Sequence, residues 1–217
     1  MADVDELCLI KRNKTESLWA HHEVREQSCL NFFRFTLGPF LFFLENLLYS
    51  KHQEQHSDGK IKNITRLIAS ILICQLAALI GSAFNSASIN TWYTTINKPG
   101  FLPPNWLFPV VWTILFIMMG VSLYLVWKEN IRKKAVKSAL AAFAVQLVLN
   151  ILWSFFFFTL RSPLLGLIEI IVLWAAILVT ILRFYKVSKA AAYLLIPYIL
   201  WVTFAAVLNI SILFLNL

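Results

Sequence analysis

From residue 66 onward the chain alternates between long apolar runs and short charged breaks. Five runs, roughly 66 to 87, 106 to 127, 136 to 160, 163 to 182 and 190 to 215, each reach the ~20 residues that a helix needs to cross a ~30 Å hydrocarbon layer. Apart from Arg66 and Lys137 at their starts they hold no Lys or Arg, and their only acid is Glu169. Period-2 alternation is absent, so the pattern predicts an all-α membrane protein, a bundle of five transmembrane helices over residues 61 to 217.

The first 60 residues differ in kind and form an N-terminal extension. A charged stretch reaches about Ser28, an apolar run covers 29 to 49, and a polar linker follows. The run contains Arg34, Pro39 and Glu45, and spanning would place Lys11, Arg12, Lys14 and Arg25 on the side that the other spans keep poor in positive charge. It is therefore read as an interfacial helix. Met1 to Glu6 carries three acids and no apolar stretch follows at once, unlike a cleavable signal.

Composition agrees: 59% of residues are apolar, 14% are charged, and mean hydropathy is +0.72. The net charge of +8 would suggest nucleic acid in a soluble protein, but position accounts for it. If the start of the first span is cytoplasmic, that side collects twelve Lys and Arg (Lys51, Lys60, Lys62, Arg66, Lys128, Arg132, Lys133, Lys134, Lys137, Arg183, Lys186, Lys189), and the other side only Lys98 and Arg161. The expected partners are membrane lipid and an apolar small molecule rather than nucleic acid.

Polar groups at membrane depth must face protein or water, so they mark the bundle interior. The third span sets Gln146, Asn150, Trp153 and Phe157 on one face, and the fifth sets Pro197, Trp201, Ala205 and Asn209 on one face beside Tyr198. The second span offers Trp112, Phe116 and Met119, and the fourth offers Glu169, Leu173 and Ala176. Together they describe an aromatic cavity with a few amides and one carboxyl, the usual make-up of a small-molecule pocket. Gln146, Asn150 and Asn209 have an equal reading as hydrogen-bond partners between helices. Glu169, about two turns from Arg161, is either a functional intramembrane carboxyl or a solvated residue at the mouth. Trp106 and Trp127, at the ends of the second span, read as interface anchors. The connection from about Ser88 to Asn105 carries Pro99, Pro103 and Pro104, which break helix and stiffen the loop; it is read as a lid over one mouth.

Three segments carry a family resemblance. The stretch from Trp92-Tyr93 through Lys98-Pro99, Pro103-Pro104, Trp106, Phe108 and Val111-Trp112-Thr113 is followed by Met119-Gly120 and Tyr124-Leu125-Val126-Trp127. Leu149-Asn150, Trp153-Ser154 and Phe157-Phe158 come next, then Pro197-Tyr198, Trp201, Phe204-Ala205 and Leu208-Asn209. Over about residues 64 to 217 this resembles the tryptophan-rich sensory protein and translocator protein family (TspO, the peripheral benzodiazepine receptor). The resemblance implies a five-helix bundle, commonly a homodimer, that binds porphyrins such as protoporphyrin IX, haem-like tetrapyrroles and other flat apolar ligands under the first loop. It also implies stress-linked regulation or transport of tetrapyrroles. It places Tyr93, Trp112, Asn150, Trp153, Glu169, Trp201 and Ala205 at the ligand. Light-dependent porphyrin degradation, reported for some members, would fall to Trp112 and Trp201.

No nucleophile and base pair or cofactor motif supports catalysis in the dark, and no C-x-x-C-H signature attaches a haem covalently. All four histidines lie in the extension, leaving Cys74, Met118, Met119 or a tyrosine as conceivable axial haem ligands, so stacking rather than ligation is expected. The His21-His22-Glu23 run lacks further ligands at sensible spacing and reads as polar rather than metal-binding. The end of the fifth span, Asn209 to Leu217, lacks the Tyr and Arg of the animal sterol motif, so no sterol preference is expected. Small residues, Ala135 with Ala139, Ser138 with Ala142, and Ala77 with Gly81, suit close helix contacts, either between two copies or within one bundle.

Overall fold

The computed structural model describes residues 57 to 217; the proposed interfacial helix at 29 to 49 and the His21-His22 pair lie outside them. The helices, in chain order, are α1 (Ser57–Ile89), the single turn α2 (Trp92–Thr95), α3 (Leu107–Trp127), α4 (Lys134–Ser154), α5 (Pro163–Tyr185), α6 (Lys189–Leu194) and α7 (Ile196–Leu215). A π-helical turn (Phe155–Thr159) extends α4. Five stretches are long and apolar enough to cross a membrane: Asn63–Ser86, Leu107–Trp127, Lys134–Thr159, Pro163–Tyr185 and Lys189–Leu215. They match the five apolar runs of the sequence, and no strand occurs among the described residues.

α3 is the central helix. From Met118 to Val126 every residue is buried, which a helix apolar on all sides allows. α1 crosses it closely at Gly120, where an added Cβ would sit 2.6 Å from the Cα of Ile71. Ser122 donates to the carbonyl of Ala191 at 2.7 Å and pins α3 to α6. The remaining walls come from α4 against α1 and α5, and from α7 against α5.

Local chemistry sets the helix ends. The Ser162 side chain accepts from the Leu165 N–H at 3.3 Å with Pro163 in the first turn, so α5 begins on a capped, preorganised turn. Ser188 caps α6 in the same way. The fifth span is interrupted at Leu195 because Pro197 has no N–H for the Tyr193 carbonyl and its ring crowds that carbonyl. At the end of α4 the backbone widens: Leu160 N–H bonds to the Phe155 carbonyl at 3.0 Å, and Arg161 takes a positive φ of 51° to leave the helix.

The small-residue positions pack within the bundle where they are buried. Ala77, Gly81 and Ala139 are interior, and a Cβ on Gly81 would meet Ser154 Oγ at 3.4 Å. Ala135 is exposed. Ser138 receives the Arg183 guanidinium on both its hydroxyl and its carbonyl.

Candidate functional site

A cavity of about 530 Å³ occupies the half of the bundle under the Ser88 to Asn105 loop. Its walls are mostly aromatic. Trp112 and Phe116 of α3 meet with ring centroids 5.7 Å apart, and Trp112 lies edge-on to Tyr198 at 6.3 Å. Trp153 stacks on Phe157 at 5.2 Å and 18°, and Trp201 of α7 packs edge-on to Phe108 at 5.9 Å. Asn150, Ala205 and Asn209 also line the space, with Ile170 and Leu173 from α5.

The π-helical turn is what aims Phe157 and Phe158 at the loop. The turn adds a residue, so both consecutive phenylalanines are buried and both meet the loop's aromatic rings. Tyr93 lies 6.4 Å from Phe157 and 5.6 Å from Phe158, and Trp92 is edge-on to Phe157 at 5.7 Å. Lys98 Nζ sits 4.6 Å above the Tyr93 ring, an attraction worth about 0.5 to 1 kcal/mol at partly exposed sites. Burial raises the Tyr93 pKa above the ordinary tyrosine value, which keeps its hydroxyl neutral.

The loop is tied to the far end of the chain. Asn97 N–H donates to Asn216 Oδ1 at 2.9 Å, Asn97 Nδ2 to the Leu215 carbonyl at 3.2 Å, and Asn216 Nδ2 to the Asn97 carbonyl at 2.9 Å. Tyr93, Leu102 and Asn105 reach the cavity; Trp92, Lys98, Pro99, Pro103 and Pro104 are not in its lining and act through the loop's shape and contacts.

The polar groups divide into those already satisfied and those not. Asn150 Nδ2 donates to Tyr198 Oη at 2.9 Å, and that hydroxyl donates to Gln146 Oε1 at 3.0 Å. Gln146 is thereby an interhelical partner behind the cavity wall and not part of its lining. Asn209, with its amide oriented to suit its neighbours, donates to the Pro163 carbonyl at 2.8 Å and accepts from the Leu167 N–H at 3.2 Å, locking α7 to the first turn of α5. Among lining residues, Asn85 Oδ1 and Trp153 Nε1 are buried with no hydrogen-bond partner among the described residues, one acceptor and one donor.

Glu169 is buried at 6% exposure, and neither carboxylate oxygen has a hydrogen-bond partner among the described residues. It is therefore an interior residue rather than a solvated mouth residue, and it too is outside the cavity lining. Of the conceivable axial ligands, Cys74, Met118, Met119 and Tyr198 are core residues away from the lining, while Tyr93 lines it.

α1 is the wall that residue patterns passed over. It contributes Gln75, Ala78, Ser82 and Asn85, at steps of three and four along one face. The polar residues Gln75, Ser82, Asn85 and Ser86 in an otherwise apolar run were the signal available.

Residues 70 to 215 match the profile of the TspO/MBR family. The chain belongs to the TspO/MBR family. It is 47% identical over 155 residues to the tryptophan-rich protein TspO of Chlorobaculum tepidum, covering 71% of this chain and 98% of that one. The tryptophan-rich protein TspO of Archaeoglobus fulgidus is 45% identical over 155 residues, covering 71% and 99%. The translocator protein of Homo sapiens is 37% identical over 136 residues, covering 62% and 80%. With the five apolar helices, membership of the TspO/MBR family makes this a multi-pass integral membrane protein.

Proposed function

We propose that the cavity binds porphyrin-type tetrapyrroles and other flat apolar ligands, and that the protein acts in tetrapyrrole sensing or transport. The observation that carries this is the convergence of three indoles, Trp112, Trp153 and Trp201, on one mostly apolar cavity of about 530 Å³, within the range of small-molecule sites. Large flat rings stack favourably on indole faces, each such pair contributing about 0.5 to 1.5 kcal/mol beyond area burial. Residues 61 to 217 hold no histidine, which favours stacking over axial ligation and leaves Tyr93 as the conceivable ligand in the lining. Asn85 Oδ1 and Trp153 Nε1 supply an acceptor and a donor for a ligand's polar edge. The twelve-to-two distribution of Lys and Arg favours an orientation with the start of α1 on the cytoplasmic side and the C-terminus opposite.

The test is titration of protoporphyrin IX into the protein in lipid nanodiscs, read by tryptophan quenching. Trp112→Ala with Trp153→Ala is expected to weaken binding at least about tenfold, equivalent to ~1.4 kcal/mol. Unchanged affinity in that double variant refutes the assignment.

A second reading, light-dependent breakdown of a bound porphyrin, is favoured by the presence of both Trp112 and Trp201 in the lining. Illumination of the complex followed by product analysis separates it from simple binding, since a binder alone releases the porphyrin unchanged.

A further inference from the structure

We propose that the cavity is loaded sideways from the membrane, through a slit between α1 and α3, and not through the loop above it. The inference rests on the reading of this cavity as a site for an apolar ligand, because such a ligand partitions into the hydrocarbon layer before it meets the protein.

At the end of the bundle away from the loop, α1 and α3 are in close backbone contact at Ile71 and Gly120. Farther along, Gln75 Nε2 reaches across to the Thr113 carbonyl at 3.3 Å. Beyond that bridge, Leu79, Ser82 and Ser86 of α1 and Pro109 and Thr113 of α3 line the cavity and are also exposed on the outside of the bundle, Leu79 at 65%. On these two helices such residues trace the edge along which the cavity meets the outside of the bundle. The gap runs from Gln75 to Ser86, a rise of about 16 Å along the helix. Since the apolar span is Asn63–Ser86, the gap begins near the middle of the membrane.

The rim is suited to lipid despite its hydroxyls. Thr113 Oγ1 donates to the Pro109 carbonyl and Ser86 Oγ to the Ala83 carbonyl, both at 2.8 Å, so neither hydroxyl needs a partner from the hydrocarbon. Asn85, behind the rim, keeps a buried Oδ1 with no hydrogen-bond partner among the described residues. By contrast the route through the loop is closed by the three hydrogen bonds between Asn97 and the Leu215-Asn216 pair and by the packing of Trp92 and Tyr93 on Phe157. Opening it requires breaking these contacts together.

The test uses a reporter inside the cavity that does not depend on any porphyrin. In the full chain with Cys8→Ser, Cys29→Ser and Cys74→Ala, Ala205→Cys places a thiol in the cavity lining. Reconstituted in nanodiscs, it is reacted with membrane-soluble N-ethylmaleimide or with a permanently charged methanethiosulfonate. The apolar reagent is expected to react faster than the charged one. Ser82→Trp, and separately Leu79→Trp on the exposed rim, should slow the apolar reagent about tenfold, as for a constricted route. Asn97→Ala with Asn216→Ala should change its rate less than about twofold. Loss of the loop tether accelerating labelling while both rim blocks leave it unchanged overturns the proposal, as does no labelling by the apolar reagent. Protoporphyrin IX titration of the unmodified protein runs alongside. Labelling that follows the slit without porphyrin binding removes the tetrapyrrole reading and leaves the lateral route standing.

Discussion

Gly120→Ala tests the close contact between α1 and α3. The added Cβ would lie 2.6 Å from Ile71 Cα, 3.0 Å from its Cγ1 and 3.1 Å from its backbone nitrogen. Carbon atoms in favourable contact sit ~3.5 to 4.0 Å apart, so the helices must part by about 1 Å. Two of the three obstructing atoms are backbone, so no rotamer change relieves the clash and α1 must move as a body. Overpacking of this kind costs about 1 to 3 kcal/mol. For a chain of this size that corresponds to a fall of roughly 3 to 10 °C in melting temperature. With Cys8→Ser and Cys29→Ser in both variants, buried Cys74 provides the assay, because a thiol-reactive dye reports its exposure during a thermal ramp in detergent. Gly100→Ala is the matched control, since nothing lies within 4 Å of its would-be Cβ. Equal melting temperatures for the two alanine variants would refute the packing described at Ile71. A lowered temperature with faster labelling of Ala205→Cys would add that this contact also sets the width of the slit.

Tyr198→Phe removes the hydroxyl that joins Asn150 to Gln146, leaving a buried donor and acceptor unmet; a loss of about 1 kcal/mol is expected, read as a lower melting temperature. Gln146→Leu should leave porphyrin affinity within about twofold, because that side chain lies outside the cavity lining, and a larger loss would place it at the ligand after all. Asn97→Ala with Asn216→Ala removes three hydrogen bonds from the loop and should raise amide exchange in residues 91 to 105 without shifting exchange in α3, as local opening predicts.

The five spans were legible because a membrane helix must be apolar over a length fixed by the bilayer, and that requirement leaves little room for another reading of 66 to 87 or 163 to 182. Asn150 and Asn209 were legible as inward-facing because amides at that depth turn toward protein, and Trp112, Phe116, Trp153, Trp201 and Ala205 because they share the helical stripes of such groups or of one another; Tyr93 was placed by the family resemblance, and all eight line the cavity. Helical period alone did not separate the cavity from the core behind it. Gln146 is one turn from Asn150 on the same face, yet it is committed to Tyr198, and Glu169 is one residue from the lining Ile170 but outside the lining. An inward stripe is wide enough to hold both environments, and which residue meets open space depends on how the neighbouring helices are rotated and spaced. The same holds for α1, whose weak polar stripe became a cavity wall only because Gly120 draws one end of it against α3 while the other end leaves a gap. Residue chemistry thus determined which groups avoid lipid; the crossing of α1 over α3 and the widened turn at Phe155–Thr159 decided which of them surround a space, because those depend on contacts between residues far apart in the chain.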